Sequence, residues 1–126
     1  YSTESGFQDA LTGVYIQLKS NNTYGQKMTY TTIENLTTSW DVTANTTQQR
    51  LGLFNYADDG VQQEFAAIYG QEYKIIASIN AILEQIDKRR NVLSDEASYA
   101  MIKGECLACA GKYNRRRSIA LCKDVV

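Results

Sequence analysis

The chain has 126 residues, 44% of them hydrophobic, which is enough for one domain around one core. With 13 basic and 14 acidic residues its net charge is −1, which excludes a strong electrostatic pull toward nucleic acid or an anionic membrane surface. Histidine and proline are both absent, so the commonest general base and metal ligand is missing and nothing forces a kink into a helix.

Residues 5–19 predict a first helix. Phe7, Leu11, Val14 and Leu18 share one face, and Ala10 and Tyr15 widen it. Ser5 with Gln8 three residues on has the form of a capping box, and Ser20-Asn-Asn22 is a stop in turn-prone residues. Residues 23–38 fit a helix through Tyr30, Ile33 and either Leu36 or Thr37, although the threonine runs would also suit a strand. Residues 39–60 read as a long irregular connection, a feature that is often functional. Asn21, Asn35 and Asn45 each open an Asn-x-Thr triplet, a pattern common by chance.

A single long helix is expected from Val61 to about Arg90. One stripe runs through Phe65, Ile68, Ile76, Ile79, Leu83 and Ile86, and a second through Tyr69, Tyr73, Ile76, Asn80 and Leu83. So wide an apolar arc predicts packing on two sides. Lys88-Arg-Arg90 suits the negative end of the helix dipole and reads as a solvated helix end. Ser94 is the expected N-cap of the last helix, with Asp95 and Glu96 in its first turn. Tyr99, Ile102, Cys106, Cys109 and Tyr113 continue its buried face, and a partner helix in close approach would explain Gly104. The fold class expected is all-α, an antiparallel helix bundle in one domain over residues 1–126.

Chemistry-bearing residues are few. Cys106-x-x-Cys109 has redox or zinc spacing, but with Cys122 as the only other thiol a four-ligand zinc site is out of reach. Both thiols on one helix face read more simply as small apolar packing groups. Asp58 and Asp59 could act as paired carboxylates, but before a helix Asp-Asp-Gly60 is usually a turn and cap. No catalytic, metal or cofactor constellation is evident, so no enzyme is expected. Asn80 on an apolar face reads as a buried structural amide tied to a nearby backbone turn, with ligand contact as the alternative. Trp40, the single tryptophan, stands beside Asp41 at the start of the long connection, with Tyr56 near its end. The ring either anchors the loop or offers a face to the C–H groups of a sugar, which makes Trp40, Asp41 and Tyr56 the carbohydrate-binding candidates.

Three segments carry a family resemblance. Tyr73-x-x-Ile76-x-x-x-Asn80-x-x-Leu83, then Tyr99-x-x-Ile102-x-Gly104-Glu105-x-x-Ala108, resemble the helical N-terminal region of SusD/RagB-type outer-membrane nutrient-binding lipoproteins, and Phe7-Gln-Asp-Ala-Leu-Thr-Gly-Val-Tyr15 resembles that family's first mature helix. The likeness covers residues 1 to about 108. It implies tetratricopeptide-like helix pairs and a surface lipoprotein, lipid-anchored upstream of Tyr1, that captures oligosaccharides without catalysis. It also implies a SusC-like TonB-dependent transporter as partner.

Family members are several times longer, so this chain resembles an N-terminal portion. Residues 109–126 depart from the family pattern as an atypical tail. One lost base near residue 109 would account for the departure and predicts a family-like reading frame in the downstream DNA. The basic run from Lys112 to Arg117 is too short an electrostatic footprint to predict nucleic-acid binding. The alternative function is a free-standing helical module for protein–protein interaction. A truncated N-terminal portion, by contrast, would leave apolar helix faces uncovered and is expected to self-associate through them.

Overall fold

The computed structural model describes the backbone of residues 1–121 and the side chains of residues 1–111. The chain is all-α, with no strand among the described residues. Its elements are α1 (Glu4–Leu18), a π-helical turn (Lys27–Thr31) leading into α2 (Thr32–Leu36), α3 (Thr47–Gly52), α4 (Asp59–Lys88), a 3₁₀ turn (Arg90–Val92) and α5 (Glu96–Leu121). Two compact units emerge. One joins Tyr1–Tyr15 to the chain from Lys74 onward; the other is Ile16–Tyr73.

In the first unit, Phe7, Leu11 and Val14 of α1 are buried, as their spacing predicts. Tyr15 does not widen that stripe; it is exposed. The N-cap is Thr3, whose hydroxyl accepts from the Gly6 N–H at 3.2 Å, so the cap lies two residues before the expected Ser5. Glu4 accepts from the Ser94 N–H at 2.8 Å, and the Tyr15 hydroxyl donates to Glu105 at 2.8 Å. These contacts advance in step along the two segments, so α1 and α5 run parallel. Asp95, not Ser94, caps α5, accepting from the Ser98 N–H at 2.6 Å.

Asp87, near the end of α4, accepts from the Tyr99 hydroxyl and from Lys103, each at 2.7 Å, which ties the start of α5 back to α4. Lys88 pairs with Glu84 at 2.6 Å, and Arg90 pairs with Glu96 while lying 4.6 Å over the Tyr99 ring. The basic trio is thus a solvated helix end in which each exposed pair adds little stability. Bonds from Lys103 and Tyr99 hold the Asp87 carboxyl below its ordinary value, and bonds from Ser94 do the same for Glu4. A depressed folded pKa means the contribution is present above the unfolded value and is lost as pH falls through the folded one. Both contacts therefore weaken in acid, and the Asp87 bond to Lys103 is lost in base as well, as pH rises through the raised folded value of Lys103.

The long helix corrects two expectations. Its buried line is Val61, Ile68, Ile75, Ile79, Ile82 and Ile86. Ile76 and Leu83 are half-buried, while Tyr69, Tyr73 and Asn80 are exposed. The second stripe is therefore not covered, and α4 buries one face only. Asn80 is not a buried amide, and the hydrogen-bond demand that singled it out does not arise.

The second unit holds elements that periodicity missed. Fully buried Thr23 sets its hydroxyl among the last α1 carbonyls, donating to that of Leu18 at 2.6 Å, so α1 does stop at the predicted turn. Through the π-helical turn and α2 the amphipathic pattern is inverted: Thr32 and Asn35 are buried, whereas Tyr30 and Ile33 are exposed. Within the span expected to be irregular lies α3, capped by Thr46, whose hydroxyl accepts from the Gln49 N–H at 3.3 Å, and seated by buried Leu51. Asp58 serves as turn and cap for α4, accepting from the Gly60 and Val61 N–H groups at 3.0 and 3.2 Å. Its second oxygen pairs with Arg50 of α3 at 3.3 Å. Gly60 suits this junction, because a Cβ there would sit 2.7 Å from the Thr47 hydroxyl.

Candidate functional site

Both short helices end on a strained residue. After α2, the Thr38 N–H bonds the Asn35 carbonyl at 3.2 Å and the Ser39 N–H bonds that of Glu34 at 3.2 Å. After α3, the Phe54 N–H bonds the Leu51 carbonyl at 3.0 Å and the Asn55 N–H bonds that of Arg50 at 2.9 Å. This pair of bonds is the Schellman ending, which places its C′ residue in the left-handed region and normally uses glycine there. Here the position holds Thr38 at φ 55° and Phe54 at φ 56°. A β-branched residue in that region is costly. Thr38→Gly is therefore expected to raise stability by about 0.5–1 kcal/mol, relief of the Cβ clash exceeding the entropy glycine loses. Urea unfolding followed by circular dichroism reads this directly, and a loss of stability would contradict the assigned backbone.

The turn at Thr38 throws the chain outward into Ser39 and Trp40, and a groove opens between α2, the loop after it and α3. It has two lobes of about 470 and 600 Å³. Asn35, Trp40, Asp41, Val42, Thr43 and Gln48 border both. The first lobe adds Thr38, Gln49, Gly52 and Leu53, and the second adds Tyr30, Thr31, Ala44 and Thr46. Trp40 is 65% exposed, so its ring buries little against the helices and is a weak loop anchor. Asp41 is the one acidic or basic side chain in the lining. The remaining polar groups are carboxamides and hydroxyls. Such a groove can stack a ring and exchange hydrogen bonds; it offers no nucleophile–base pair.

Beneath the groove, α2 is fixed from one side. Glu64 of α4 accepts from the Thr32 hydroxyl at 3.2 Å and from Lys27 at 2.9 Å. On the other side the backbones of α2 and α3 come close, where a Cβ on Gly52 would sit 3.4 Å from the Asn35 carbonyl. Asn35 itself is only 7% exposed, and its side-chain amide makes no hydrogen bond to the described residues. Leaving such a group unpaired costs about 1–3 kcal/mol. The sequence marks Asn35 only as the start of an Asn-x-Thr triplet and does not single out Gln48 or Gln49. The available signal was Thr46-x-x-Gln49, a capping-box spacing that marks the start of α3.

Of the carbohydrate candidates, the structure brings together Trp40 and Asp41. Tyr56 lies off the groove, its ring 6.4 Å from that of Phe54 and 6.1 Å from that of Phe65.

The thiols sit elsewhere: Cys106 is fully buried, Cys109 is half-buried, and both are free. Burial pushes the Cys106 thiol up from 9.0 to about 11. At pH 8 it then carries about a hundredfold less thiolate than an ordinary thiol, and the thiolate is the reactive form. Iodoacetamide at pH 8 is accordingly expected to label Cys109 at least about tenfold faster than Cys106, by mass spectrometry of the folded chain. Equal labelling would remove Cys106 from the core. The Tyr15 hydroxyl, donating to Glu105, is pushed up to about 12. That contact is intact below the ordinary tyrosine value of 10.0 and is lost as pH rises through the folded one. A Cβ on Gly104 would meet nothing within 4 Å, so no helix approaches it closely among the described residues.

Among the described residues no group of three His, Cys, Asp or Glu could hold a metal ion, and no helix is long and apolar enough to cross a membrane. The side chains of Lys112 to Arg117 and of Tyr113, and all of Cys122, lie outside the described residues. Comparison with known protein families, with curated proteins and with solved structures gives no match.

Proposed function

We propose that this chain is an N-terminal portion of a SusD/RagB-like nutrient-binding protein, a non-catalytic glycan-capture component. It would be held at the outer membrane by a lipid anchor upstream of Tyr1 and would work beside a SusC-like TonB-dependent transporter. The three resembling segments and the all-α architecture support this reading, with the tetratricopeptide-like pairing of helices as part of the proposal. The observation that carries it is the groove at Trp40, where an exposed indole stands among neutral carboxamides and hydroxyls. An aromatic face buries the apolar C–H side of a sugar while such groups meet its hydroxyls.

The test is titration of the folded chain with neutral plant and host oligosaccharides, followed by Trp40 fluorescence and by heat. Trp40 is the single tryptophan, so the optical signal has one source. Saturable binding is expected for at least one glycan class, and Trp40→Ala should weaken it about tenfold or more, the size of one lost aromatic stacking contact. Silence across the panel, with the chain shown to be helical, sinks the proposed site.

Self-association, the behaviour expected of a chain that lacks the helices normally covering its apolar faces, rests on α5. Its solvent side from residue 97 to 108 carries Ala97, Ala100, Met101, Gly104, Leu107 and Ala108. No charge interrupts that arc, whereas a solvated helix face is normally polar. Light scattering at high protein concentration decides: a clean monomer counts against it, and an oligomer dispersed by Leu107→Lys supports it.

A further inference from the structure

We propose that Asn35 is the hydroxyl-reading contact of the Trp40 groove, and that the groove takes a neutral saccharide unit in preference to an acidic one. This rests on the glycan-binding reading and specifies it. Other buried polar side chains in this part of the chain are accounted for: Thr23 by the carbonyl of Leu18, and Thr32 by Glu64. Asn35, also buried, borders both lobes of the groove and has no hydrogen-bond partner for its amide among the described residues. Buried polar groups in folded proteins are nearly always paired, so an unpaired one at a groove wall points to a ligand.

The chemistry of the amide narrows the ligand. A carboxamide offers two N–H donors and one oxygen acceptor in a fixed plane. Two adjacent sugar hydroxyls, each able to donate and accept, match that pattern. A carboxylate or sulfate only accepts and would leave the amide oxygen unpaired. Asp41 adds repulsion, as the only charged lining residue. Lys27, in the turn before α2, and Arg50, on α3, are engaged by Glu64 and Asp58, and neither lines the groove. Trp40 borders the same two lobes, so one sugar ring can meet the indole with its C–H face while its hydroxyls reach the amide.

The experiment compares the wild-type chain with Asn35→Leu, Asn35→Ala and Trp40→Ala. The probes are neutral gluco-, xylo- and manno-oligosaccharides and an acidic oligogalacturonate, and the apo melting temperature is recorded for every variant. The expected result is at least tenfold weaker neutral-glycan binding by both Asn35 variants, with Asn35→Leu melting at or above the wild type because an unpaired buried amide has been removed. Oligogalacturonate should bind at least tenfold more weakly than the best neutral probe. Undiminished binding by Asn35→Leu, with Trp40→Ala weakened, overturns the role of Asn35 and leaves the glycan reading standing. Lost binding accompanied by lower melting temperatures in both Asn35 variants overturns it as well, since Asn35 would then be holding the fold. Tighter binding of oligogalacturonate overturns the preference for neutral sugars. A wild-type chain silent toward every probe overturns the glycan reading and this inference together.

Discussion

Phe7→Ala is expected to destabilise the chain by about 3–5 kcal/mol, the usual cost of deleting a buried aromatic ring. Phe7 is fully enclosed, and its ring lies 5.0 Å from that of Tyr1. Two losses add: the transfer free energy of the ring and the cavity it leaves. Against a total stability of about 5–15 kcal/mol, such a loss removes a third or more of the margin and lowers the urea midpoint with little change in slope. Phe7→Leu refills most of the volume and should cost about 1–1.5 kcal/mol. An alanine variant as stable as the wild type would mean that α1 does not pack through Phe7, Leu11 and Val14.

That stripe was legible because three apolar residues at helical spacing, flanked by polar ones, admit one buried face. The caps were less legible. Thr3, Ser5 and Ser20 are all acceptable end residues, and only the path of the chain decides which hydroxyl meets a free N–H. The misplaced cap of α5 has the same cause: Ser94 and Asp95 are both good N-caps one residue apart, and the path of the chain brings the Asp95 carboxylate, not the Ser94 hydroxyl, to the Ser98 N–H. The missed α3 reflects length. Six residues span less than two turns, too few for a period to show, and only the Thr46-x-x-Gln49 cap spacing was available.

The groove was half legible for a related reason. Trp40 and Asp41 stood out by residue type. Asn35 could not, because burial of a polar side chain on a short helix contradicts the rule from which periodicity arguments start. The inversion in α2, with Thr32 and Asn35 inside and Ile33 outside, is enforced by partners remote in sequence: Glu64 takes the Thr32 hydroxyl, and Gly52 lets α3 press against the Asn35 backbone. Where local pattern and observed burial disagree in this way, functional sites are over-represented. The disagreement directs attention to α2 independently of any family likeness.

The sharpest test of the long helix sets two neighbours against each other. Ile79 is fully buried, whereas Asn80, one residue on, is exposed. Ile79→Ala should cost about 2–5 kcal/mol, the range for deleting an enclosed branched side chain. Asn80→Ala should change stability by no more than about 0.5 kcal/mol and in the favourable direction, since alanine is the better helix former at a solvent position. Had Asn80 been the enclosed amide expected from its apolar neighbours, the order would invert: truncating it would orphan its partners and cost about 1–3 kcal/mol. The ambiguity is physical. Isoleucine at 75, 76 and 79 and Ile-Leu at 82–83 let two registers bury similar apolar area, and they differ by about one residue's rotation. Thermal unfolding of the two variants side by side distinguishes them. A large loss for Ile79→Ala with none for Asn80→Ala fixes the face through Ile75, Ile79, Ile82 and Ile86. The reverse would rotate α4 toward Tyr73 and Leu83 and bring the second stripe back into the core.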